Sequence, residues 1–511
     1  MTVISIDMPA DVLTRDALTV LQPGFVGTTA PEWLLRLLGE GLGSVGLFAR
    51  NIESPEQLAA LTAQLRAVRP EVLVAADEEG GDVTRLEARG GSSFPGNLAL
   101  GAVDDLKLTR AVAAELGRRL AACGVNFNWA PSADVNSDPG NPVIGVRSFG
   151  ADPELVARNT AAYVEGLQSA GVAACVKHFP GHGDTATDSH LAMPRIDVDR
   201  ATLEARELVP FRAALAAGSK VVMSAHILVP SLDPELPATL SPAVLTGLLR
   251  APREQGGLGY DGLIVTDGIE MEAIAATYGI ERGSVMALAA GADAICVGGG
   301  LSDEQTVLTL RDAIVAAVRD GSLPAERLAD AATRVRALAA WARERAAEAE
   351  GAPAGASDIG LEAARRALRI TRTEGFSPLD EAPYVAAFTP VANIAVGSDT
   401  PWGVAAELER LLPGTLTGTY RSADVTEILA AAGERRVVAV VRDVHRHGWM
   451  GEALGALLAA RPDTVVVEMG VPQAAPVGAL HVATHGAARV CGEAAAEALT
   501  SAVTLRSAAS S

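Results

Sequence analysis

Short apolar runs that alternate with helical patterns constrain the fold of this 511-residue chain more than any other feature of its sequence. These runs are rich in Val, Ile, Leu and Ala, which is typical of parallel strands buried on both faces. We predict eight strands, at residues 21–26, 43–48, 72–76, 124–129, 172–176, 221–224, 263–266 and 294–297. Strands that alternate with helices in this way predict an α/β fold with a parallel sheet.

Several of the intervening helices have recognisable start signals. We predict a capping box with proline at the first helical position at residues 54–57, an Asp-Pro start at residue 152, and a cap at Ser302 supported by Gln305. Eight strand–helix units favour a (β/α)8 TIM barrel, which we place at residues 1–349. An open doubly wound sheet is the alternative, but the glycine-rich phosphate loop that usually follows its first strand is missing from residues 21–28.

A second, smaller domain is predicted after the barrel. A long helix rich in Ala, Arg and Glu covers residues 324–349, and the Gly-, Ala- and Pro-rich residues that follow are typical of a linker. We place the linker at 350–375 and a C-terminal α/β domain, an αβα sandwich, at 376–511. Within that domain we predict strands at 394–396, 437–441 and 464–467 and helices at 404–412, 452–460 and 492–499.

Charge and cysteine content exclude several classes of protein. The net charge of −20 argues against nucleic acid or an anionic membrane as a partner, because phosphates would be repelled. The four cysteines form no CxxC pair, so we expect buried thiols and no zinc or redox motif. We find no secretory signal and no uncharged apolar run of the roughly 20 residues that a membrane span needs. We therefore expect a cytoplasmic protein.

The most polar segment of the barrel follows the fifth predicted strand. Residues 177–190 read KHFPGHGDTATDSH and contain three of the eight histidines of the chain. Other polar residues follow neighbouring strands: Asp77, Asp134, His226 and Asp267. Because residues just after the strands of a barrel converge on one face, this set predicts a pocket of acids, bases and cations there.

Alternatives remain open for single members of this set when the residues are taken alone. Asp267 would serve as the N-cap of the next helix equally well. Asp188 and His190 would form either a hydrogen-bonded acid/base pair or an incidental pair in a surface loop. A metal site is disfavoured, because the spacing of the histidines matches no standard zinc motif and Lys177 would oppose a cation.

Taken together, the motifs resemble glycoside hydrolase family 3, in particular its bacterial β-N-acetylglucosaminidases. In chain order they are DEEGG at 77–81, GVNFNWAP at 124–131 with DVN at 134–136, RSFG at 147–150, KHFPGHGDT at 177–185, MSAH at 223–226 and TDG at 266–268. The resemblance spans the barrel. Two departures are Glu78, where the family often has Gln, and Gly268, where a second Asp is common.

The resemblance implies a role for each site residue. Asp267 would be the nucleophile of a retaining glycosidase, and His190, held by Asp188, would be the general acid and then the base. The residues that match the sugar-holding positions are Asp77, Arg85, Arg147, Lys177 and His178. No metal or cofactor is implied.

We therefore expect an exo-acting β-N-acetylglucosaminidase, a β-N-acetylhexosaminidase, that removes terminal GlcNAc from muropeptide or chitin fragments. One rival is a phosphorylase on the same scaffold, because a neutral His190 repels an incoming phosphate less than a carboxylate would. Another is a sugar-binding protein without catalysis, against which the intact Asp188, His190 and Asp267 argue. A β-glucosidase is weaker, because it leaves the Asp-Ser-His triplet unexplained.

Overall fold

The structure, a computed structural model, describes residues 10–185, 193–301, 303–349, 357–373, 376–390 and 400–500. In this part of the chain eight parallel strands form the predicted barrel. They are β1 (Leu21–Pro23), β2 (Ser44–Leu47), β3 (Leu73–Ala76), β4 (Phe127–Asn128), β5 (Ala173–Phe179), β6 (Val221–Ser224), β7 (Leu263–Thr266) and β8 (Ile295–Val297). All their residues are buried, as expected for strands covered on both faces.

Neighbouring strands follow one another around the ring. β2 to β7 form one parallel sheet in chain order, and β8 pairs with β1. β7 joins β8 through a bridge between Val265 and Ala294, and the Ser44 hydroxyl donates to the Leu21 carbonyl across β1 and β2 at 3.2 Å. All eight strands lie where the sequence predicted them, although some bounds differ: β1 ends at Pro23 and β4 is limited to Phe127–Asn128. β5 continues to Phe179, so that Lys177 and His178 belong to its carboxyl end.

Helices surround the barrel on the outside. They are α1 (Ala10–Thr19), α2 (Glu32–Glu40), α3 (Pro55–Val68), α4 (Asn97–Val103), α5 (Leu106–Ala122), α6 (Pro153–Ser169), α7 (Arg200–Thr202), α8 (Leu208–Ala216), α9 (Glu272–Tyr278), α10 (Ile280–Ala290), α11 (Glu304–Asp320) and α12 (Ala325–Ala349). Wider π-helical turns occupy Leu203–Glu207 and Ala243–Arg250, and single 3-10 turns occupy Ala49–Asn51, Gly145–Arg147, Ala238–Leu240 and Arg253–Gln255.

The helix starts show which local signals were interpreted correctly. Ser54 caps α3 by accepting from the Gln57 amide, and Asp152 caps α6 in the same way. The cap of α11 is Asp303, whose carboxylate accepts from the Thr306 amide, so the prediction of Ser302 was wrong by one residue. Asp and Ser are comparable caps, and the first residue with helical geometry decides between neighbours.

The last helix of the barrel closes its lower end. Val335, Leu338 and Ala342 of α12 pack with the side chains that fill the barrel interior. A Cβ on Gly43, just before β2, would lie 2.9 Å from Val335. α12 therefore lies across the amino ends of the strands and leaves the carboxyl ends open.

The second domain is built on a six-stranded mixed sheet in the order β11-β10-β12-β13-β14-β9. Its strands are β9 (Arg369–Arg372), β10 (Tyr384–Phe388), β11 (Leu416–Tyr420), β12 (Val437–Val441), β13 (Val465–Glu468) and β14 (Leu480–Ala483). Its helices are α13 (Ile359–Ala367), α14 (Ala405–Leu411), α15 (Thr426–Ala432), α16 (Gly448–Ala460) and α17 (Arg489–Thr500), with a 3-10 turn at Val444–Arg446.

Part of the segment that we predicted to be linker is regular structure. Residues 359–367 form α13, and β9 pairs antiparallel with β14 at the edge of the second sheet. β9, with the sequence Arg-Ile-Thr-Arg and a largely exposed face, lacks the apolar run by which β12 and β13 were recognised. β10, β11 and β14 were not predicted either. The strand predicted at 394–396 lies outside the described residues.

The structure also bears on the predictions about the cysteines and about membrane spans. Cys123, Cys175, Cys296 and Cys491 are all buried free thiols. In the described part of the chain, no helix is both long enough and apolar enough to cross a membrane.

Candidate active site

A pocket of about 550 Å³ opens at the carboxyl ends of the barrel strands. Its lining comes from loops after most of the strands, which is the usual place for a barrel active site. The polar lining residues are Asp77, Arg85, Arg147, Lys177, His178, His182, Asp267, Glu270 and Glu272, and the larger apolar ones are Phe48, Trp129, Val143, Met223 and Met271. All five predicted sugar-holding residues and the predicted nucleophile therefore meet in one cavity.

Lys177 lies between two carboxylates in the wall of the pocket. Its Nζ is 2.5 Å from Asp77 Oδ1 and 2.6 Å from Glu79 Oε1, and only 2% of its side chain is exposed. Burial alone would lower the pKa of Lys177, but the two carboxylates raise it above its ordinary value. Lys177 is therefore a fixed cation, able to donate to a sugar oxygen.

Arg147 meets the same glutamate from the other side. Its Nη2 and Nε donate to the two oxygens of Glu79 at 2.7 and 3.0 Å, a bidentate pair. Burial by itself would raise the pKa of Glu79, but Arg147 and Lys177 lower it well below its usual range. Glu79 was missed as a site residue, although its DEEGG motif was noticed, because its two cationic partners are far away in sequence.

Asp134 fixes the orientation of His178. The ring Nδ1 of His178 is 2.7 Å from Asp134 Oδ2, while Oδ1 accepts from the His178 and His182 amides at 3.1 and 2.7 Å. The Nε2 of His178 is 3.5 Å from Arg147 Nη2, which is a donor, so Nδ1 carries the proton. Burial would raise the pKa of Asp134, but His178 and its hydrogen bonds lower it.

The loop after β3 is organised around Glu78. Its carboxyl oxygen Oε2 accepts from the Arg85 and Leu86 amides at 2.7 and 2.8 Å, so the loop folds back on itself. The side chain of Arg85 consequently returns to the pocket, with Nη2 3.4 Å from Asp77 Oδ2. Burial raises the pKa of Glu78 to about 7.

Asp267 follows β7 and its half-buried side chain faces the pocket. Its amide donates to the Ser224 carbonyl at 3.1 Å, and its Oδ1 accepts from the Gly268 amide at 2.8 Å. The next helix, α9, begins at Glu272 and has no side-chain cap. The interpretation of Asp267 as an N-cap is therefore wrong, and its carboxylate lies in the cavity instead.

His226 supports the turn that carries Asp267. Its Nε2 is 2.9 Å from the Gly268 carbonyl, and its Nδ1 is 3.0 Å from the Thr239 hydroxyl. We predicted that His226 lies at the strand ends, and its MSAH motif was the signal. The sequence did not reveal that it contacts the backbone beside Asp267, the predicted nucleophile.

The sequence did not predict the part of the pocket that Glu270 forms with the loop after β8. Glu270 Oε1 accepts from the Gly298 amide at 2.9 Å and the Gly299 amide at 2.5 Å, which ties the loops after β7 and β8 together. Arg50, after β2, donates to the carbonyls of the same two glycines. The three consecutive glycines after β8 were the signal available in the sequence. Glycines allow other groups, here the Glu270 carboxylate, to approach the backbone closely.

Asp188 and His190, the predicted acid/base pair, lie outside the described residues. The segment that leads to them is anchored, because the Asn141 amide group donates to the His182 carbonyl at 2.9 Å. Burial, and then the nearby His178, lower the pKa of His182 to about 4, so its ring is neutral near pH 7. No cluster suited to a metal ion occurs among the described residues.

Comparison with known proteins places this barrel in a family. The model of the glycosyl hydrolase family 3 N-terminal domain matches residues 27–338. The chain belongs to glycoside hydrolase family 3. The predicted resemblance and the predicted fold are thereby confirmed.

Relatives of this family 3 protein narrow the type of enzyme. A β-hexosaminidase of Alkalilimnicola ehrlichii is 40% identical over 261 residues, which are 50% of this chain and 73% of that protein. β-Hexosaminidase A of Pseudoalteromonas piscicida is 37% identical over 289 residues, and the match spans only 47% of its length. The barrel is therefore that of a glycoside hydrolase of the β-hexosaminidase type.

A solved structure matches both domains. The family 3 β-N-acetylglucosaminidase of Paenibacillus sp. FPU-7 has 35% sequence identity and a TM-score of 0.83, with 96% of each chain covered. The likeness extends through the second sheet, so this chain shares its two-domain architecture with that relative.

Proposed function

We propose that this protein is an exo-acting, retaining β-N-acetylglucosaminidase. The observation that carries the proposal is one pocket in which Lys177, Arg147 and His178 are held rigidly beside the carboxylate of Asp267. Fixed donors and carboxylates suit the hydroxyl groups of a single terminal sugar. The solved relative, itself a family 3 β-N-acetylglucosaminidase, supports GlcNAc as that sugar.

The proposed reaction has two displacements at the anomeric carbon. Asp267 attacks that carbon while His190, held by Asp188, gives a proton to the departing glycosidic oxygen. The glycosidic bond breaks, and a covalent bond from the sugar to Asp267 forms. Water, deprotonated by His190, then attacks the same carbon and releases GlcNAc with the configuration retained.

The sugar would be held throughout both steps by Lys177, Arg147 and His178. Glu79 holds Lys177 and Arg147, and Asp134 holds His178, so these three side chains are already ordered when substrate arrives. Preorganised donors of this kind lose less conformational entropy on binding. Muropeptide or chitin fragments with a terminal GlcNAc are the proposed substrates.

Release of 4-nitrophenol from its β-GlcNAc glycoside tests the proposal, with the β-glucoside as the rival substrate. We expect activity on the GlcNAc glycoside and a loss of at least about 10³-fold in kcat/KM in Asp267→Ala. Asp312→Ala, which changes an exposed carboxylate of α11, should retain wild-type activity. No turnover of either glycoside would overturn the proposal.

Millimolar phosphate in a parallel reaction separates hydrolysis from phosphorolysis. A hydrolase gives free GlcNAc whether or not phosphate is present. Formation of GlcNAc-1-phosphate with a strong rise in turnover would instead show that phosphate replaces water as the acceptor.

A further inference from the structure

One carboxylate of the barrel is held entirely by the second domain. Asp82 lies in the loop after β3, and its side chain is 2% exposed. Its Oδ2 pairs with the guanidinium of Arg442, directly after β12, and its Oδ1 accepts from the Ala487 amide at 2.8 Å. Both oxygens of this buried group are thus satisfied across the domain boundary.

The loop that contains Asp82 also supplies Asp77 to the pocket lining and Glu79 to the pocket's two cations, Arg147 and Lys177. It is tight, because the Glu79 amide donates to the Val83 carbonyl at 3.1 Å and closes a short turn around Asp82. It is also packed closely, since a Cβ on Gly81 would lie 2.4 Å from the Gly96 backbone. A shift of Asp82 would therefore be passed on to Glu79.

Glu79 passes such a shift to the sugar-binding cations. Its carboxylate is the shared partner of Arg147, at 2.7 Å, and of Lys177, at 2.6 Å. Three contacts thus connect Arg442 with the pocket, namely its pair with Asp82, the turn from Asp82 to Glu79, and the pairs of Glu79 with the two cations.

The second domain presents Arg442 from a firm turn. The Glu468 carboxylate accepts from the Asp443 and Gly470 amides at 2.9 and 2.8 Å, and Asp443 Oδ1 accepts from the Val471 amide at 2.7 Å. Asp443 adopts a left-handed conformation with φ of 55°. Side-chain contacts that fix such a backbone suit a residue whose direction matters.

We propose that Arg442 is a positioning residue for the sugar-binding site, which it supports across the domain boundary through Asp82. The second domain then determines how well the pocket holds the terminal sugar. The proposal rests on the proposed function for the identity of the sugar, but not for the mechanical link.

A second ion pair between the domains provides a matched control. Arg366 of α13 pairs with Asp105 at 2.8 Å, and Asp105 caps α5, away from the pocket lining. Arg442→Gln and Arg366→Gln each remove one arginine from an interdomain ion pair. A purely structural role for Arg442 predicts a larger loss of stability in Arg442→Gln than in Arg366→Gln, because Asp82 is buried and Asp105 is not, but no change of KM in either variant.

Steady-state kinetics on 4-nitrophenyl β-GlcNAc give the first test. We expect kcat/KM to fall about tenfold in Arg442→Gln, mainly through a higher KM, because sugar binding is weakened in ground and transition states alike. Arg366→Gln should keep both constants, and Arg442→Lys should recover part of the loss. Equal kinetics in Arg442→Gln and Arg366→Gln would overturn the proposal.

A double-mutant cycle tests whether Asp82 is the route. If Arg442 acts through Asp82, the variant with both Asp82→Asn and Arg442→Gln should be little worse than either single variant. Additive losses in kcat/KM would contradict that route. Thermal unfolding of every variant, followed by circular dichroism, identifies any protein that fails to fold.

Hydrogen exchange keeps the link testable even if no GlcNAc glycoside is hydrolysed. Amides of residues 79–85 should exchange faster in Arg442→Gln than in the wild type, with no such change in Arg366→Gln. Unchanged exchange there would overturn the mechanical link. Absence of turnover with faster exchange would instead reject the proposed function and leave the link intact.

Discussion

At the residue scale, the side chains behind the pocket decide what those inside it can do. His178 faces the cavity, but Asp134 determines which of its nitrogens carries the proton. Asp134 also accepts hydrogen bonds from two backbone amides, so a single carboxylate fixes both the His178 ring and the loop that begins at His182. Neither role is visible from sequence spacing, because Asp134 lies in the loop after β4 and His178 lies near the end of β5.

Asp134→Asn should therefore weaken sugar binding. If the amide NH2 group of asparagine faces Nδ1, that nitrogen must accept a hydrogen bond, and the ring proton moves to Nε2. There it would face the N–H donor of Arg147. Loss of a charge-assisted hydrogen bond of about 1.5–3 kcal/mol predicts a rise in KM of roughly ten- to a hundredfold. Initial rates over a range of substrate concentrations measure this, and an unchanged KM would show that the ring orientation has no role in binding.

Glu78→Gln should change the pH dependence of stability. The folded protein, in which the pKa of Glu78 is about 7, holds a proton that the unfolded chain releases near pH 4.5. Stability therefore falls as pH rises through this window, by about 3 kcal/mol for this group. Glutamine is neutral throughout, so the variant should lose less stability between pH 5 and pH 8 than the wild type does.

Urea unfolding at the two pH values is the measurement for this prediction. Burial also raises the pKa of Glu207 and Glu468 to about 7, so part of the wild-type pH dependence should persist in the variant. Glu344→Gln, an exposed change on α12, is the control and should behave as the wild type. An equal pH dependence in Glu78→Gln and the wild type would contradict a raised pKa at Glu78.

At the scale of the elements, the sequence predicted the barrel strands because they are continuous apolar runs. β12 was predicted for the same reason. β11 and β9 are largely exposed edge strands that contain Thr, Gly and Arg, so no apolar run marked them. The end of β5 was predicted as loop, because Lys177 is polar and its partners come from the loop after β3.

The same limit applied to the site. The residues at the strand ends were predictable, because chain order and strand position suffice to bring Asp77, Lys177 and Asp267 together. Glu79 and Glu270 were not, since their functions depend on partners that only the folded structure identifies. Long-range pairing is what the sequence of one chain leaves undetermined.

The segment after β5 should be intolerant of side chains at Gly183. A Cβ there would lie 1.7 Å from the Val135 carbonyl oxygen, so Gly183→Ala must displace the chain that leads to Asp188 and His190. A misplacement of about 1 Å can cost about a hundredfold in rate, and we expect kcat to fall by that order.

Gly90→Ala is the control for this prediction, because a Cβ at Gly90 has no neighbour within 4 Å. Single-turnover rates with thermal unfolding curves compare the two variants. Wild-type kcat in Gly183→Ala would show that this segment does not position the acid/base residues.

At the scale of the whole molecule, one end of the barrel stabilises the fold and the other contains the candidate site. α12 packs against the interior at the amino ends of the strands, whereas the site occupies the carboxyl ends. Leu338→Ala should therefore lower the free energy of unfolding by about 2–5 kcal/mol without changing kcat or KM. Leu416→Ala, at a position that is 47% exposed, should cost far less.

Urea unfolding and steady-state kinetics on the same preparations test this separation. A loss of activity in folded Leu338→Ala would contradict it. So would a free energy of unfolding equal to that of the wild type, since Leu338 is only 5% exposed.

The central claim is that Asp267 forms a covalent bond to the anomeric carbon of a terminal GlcNAc. Azide rescue of Asp267→Ala on 4-nitrophenyl β-GlcNAc, with the product examined by NMR, tests it most directly. The vacated space lets azide attack where the carboxylate would, so we predict faster release of 4-nitrophenol and an α-configured N-acetylglucosaminyl azide. Wild-type turnover in the variant without azide, or a β-configured azide product, would contradict the account.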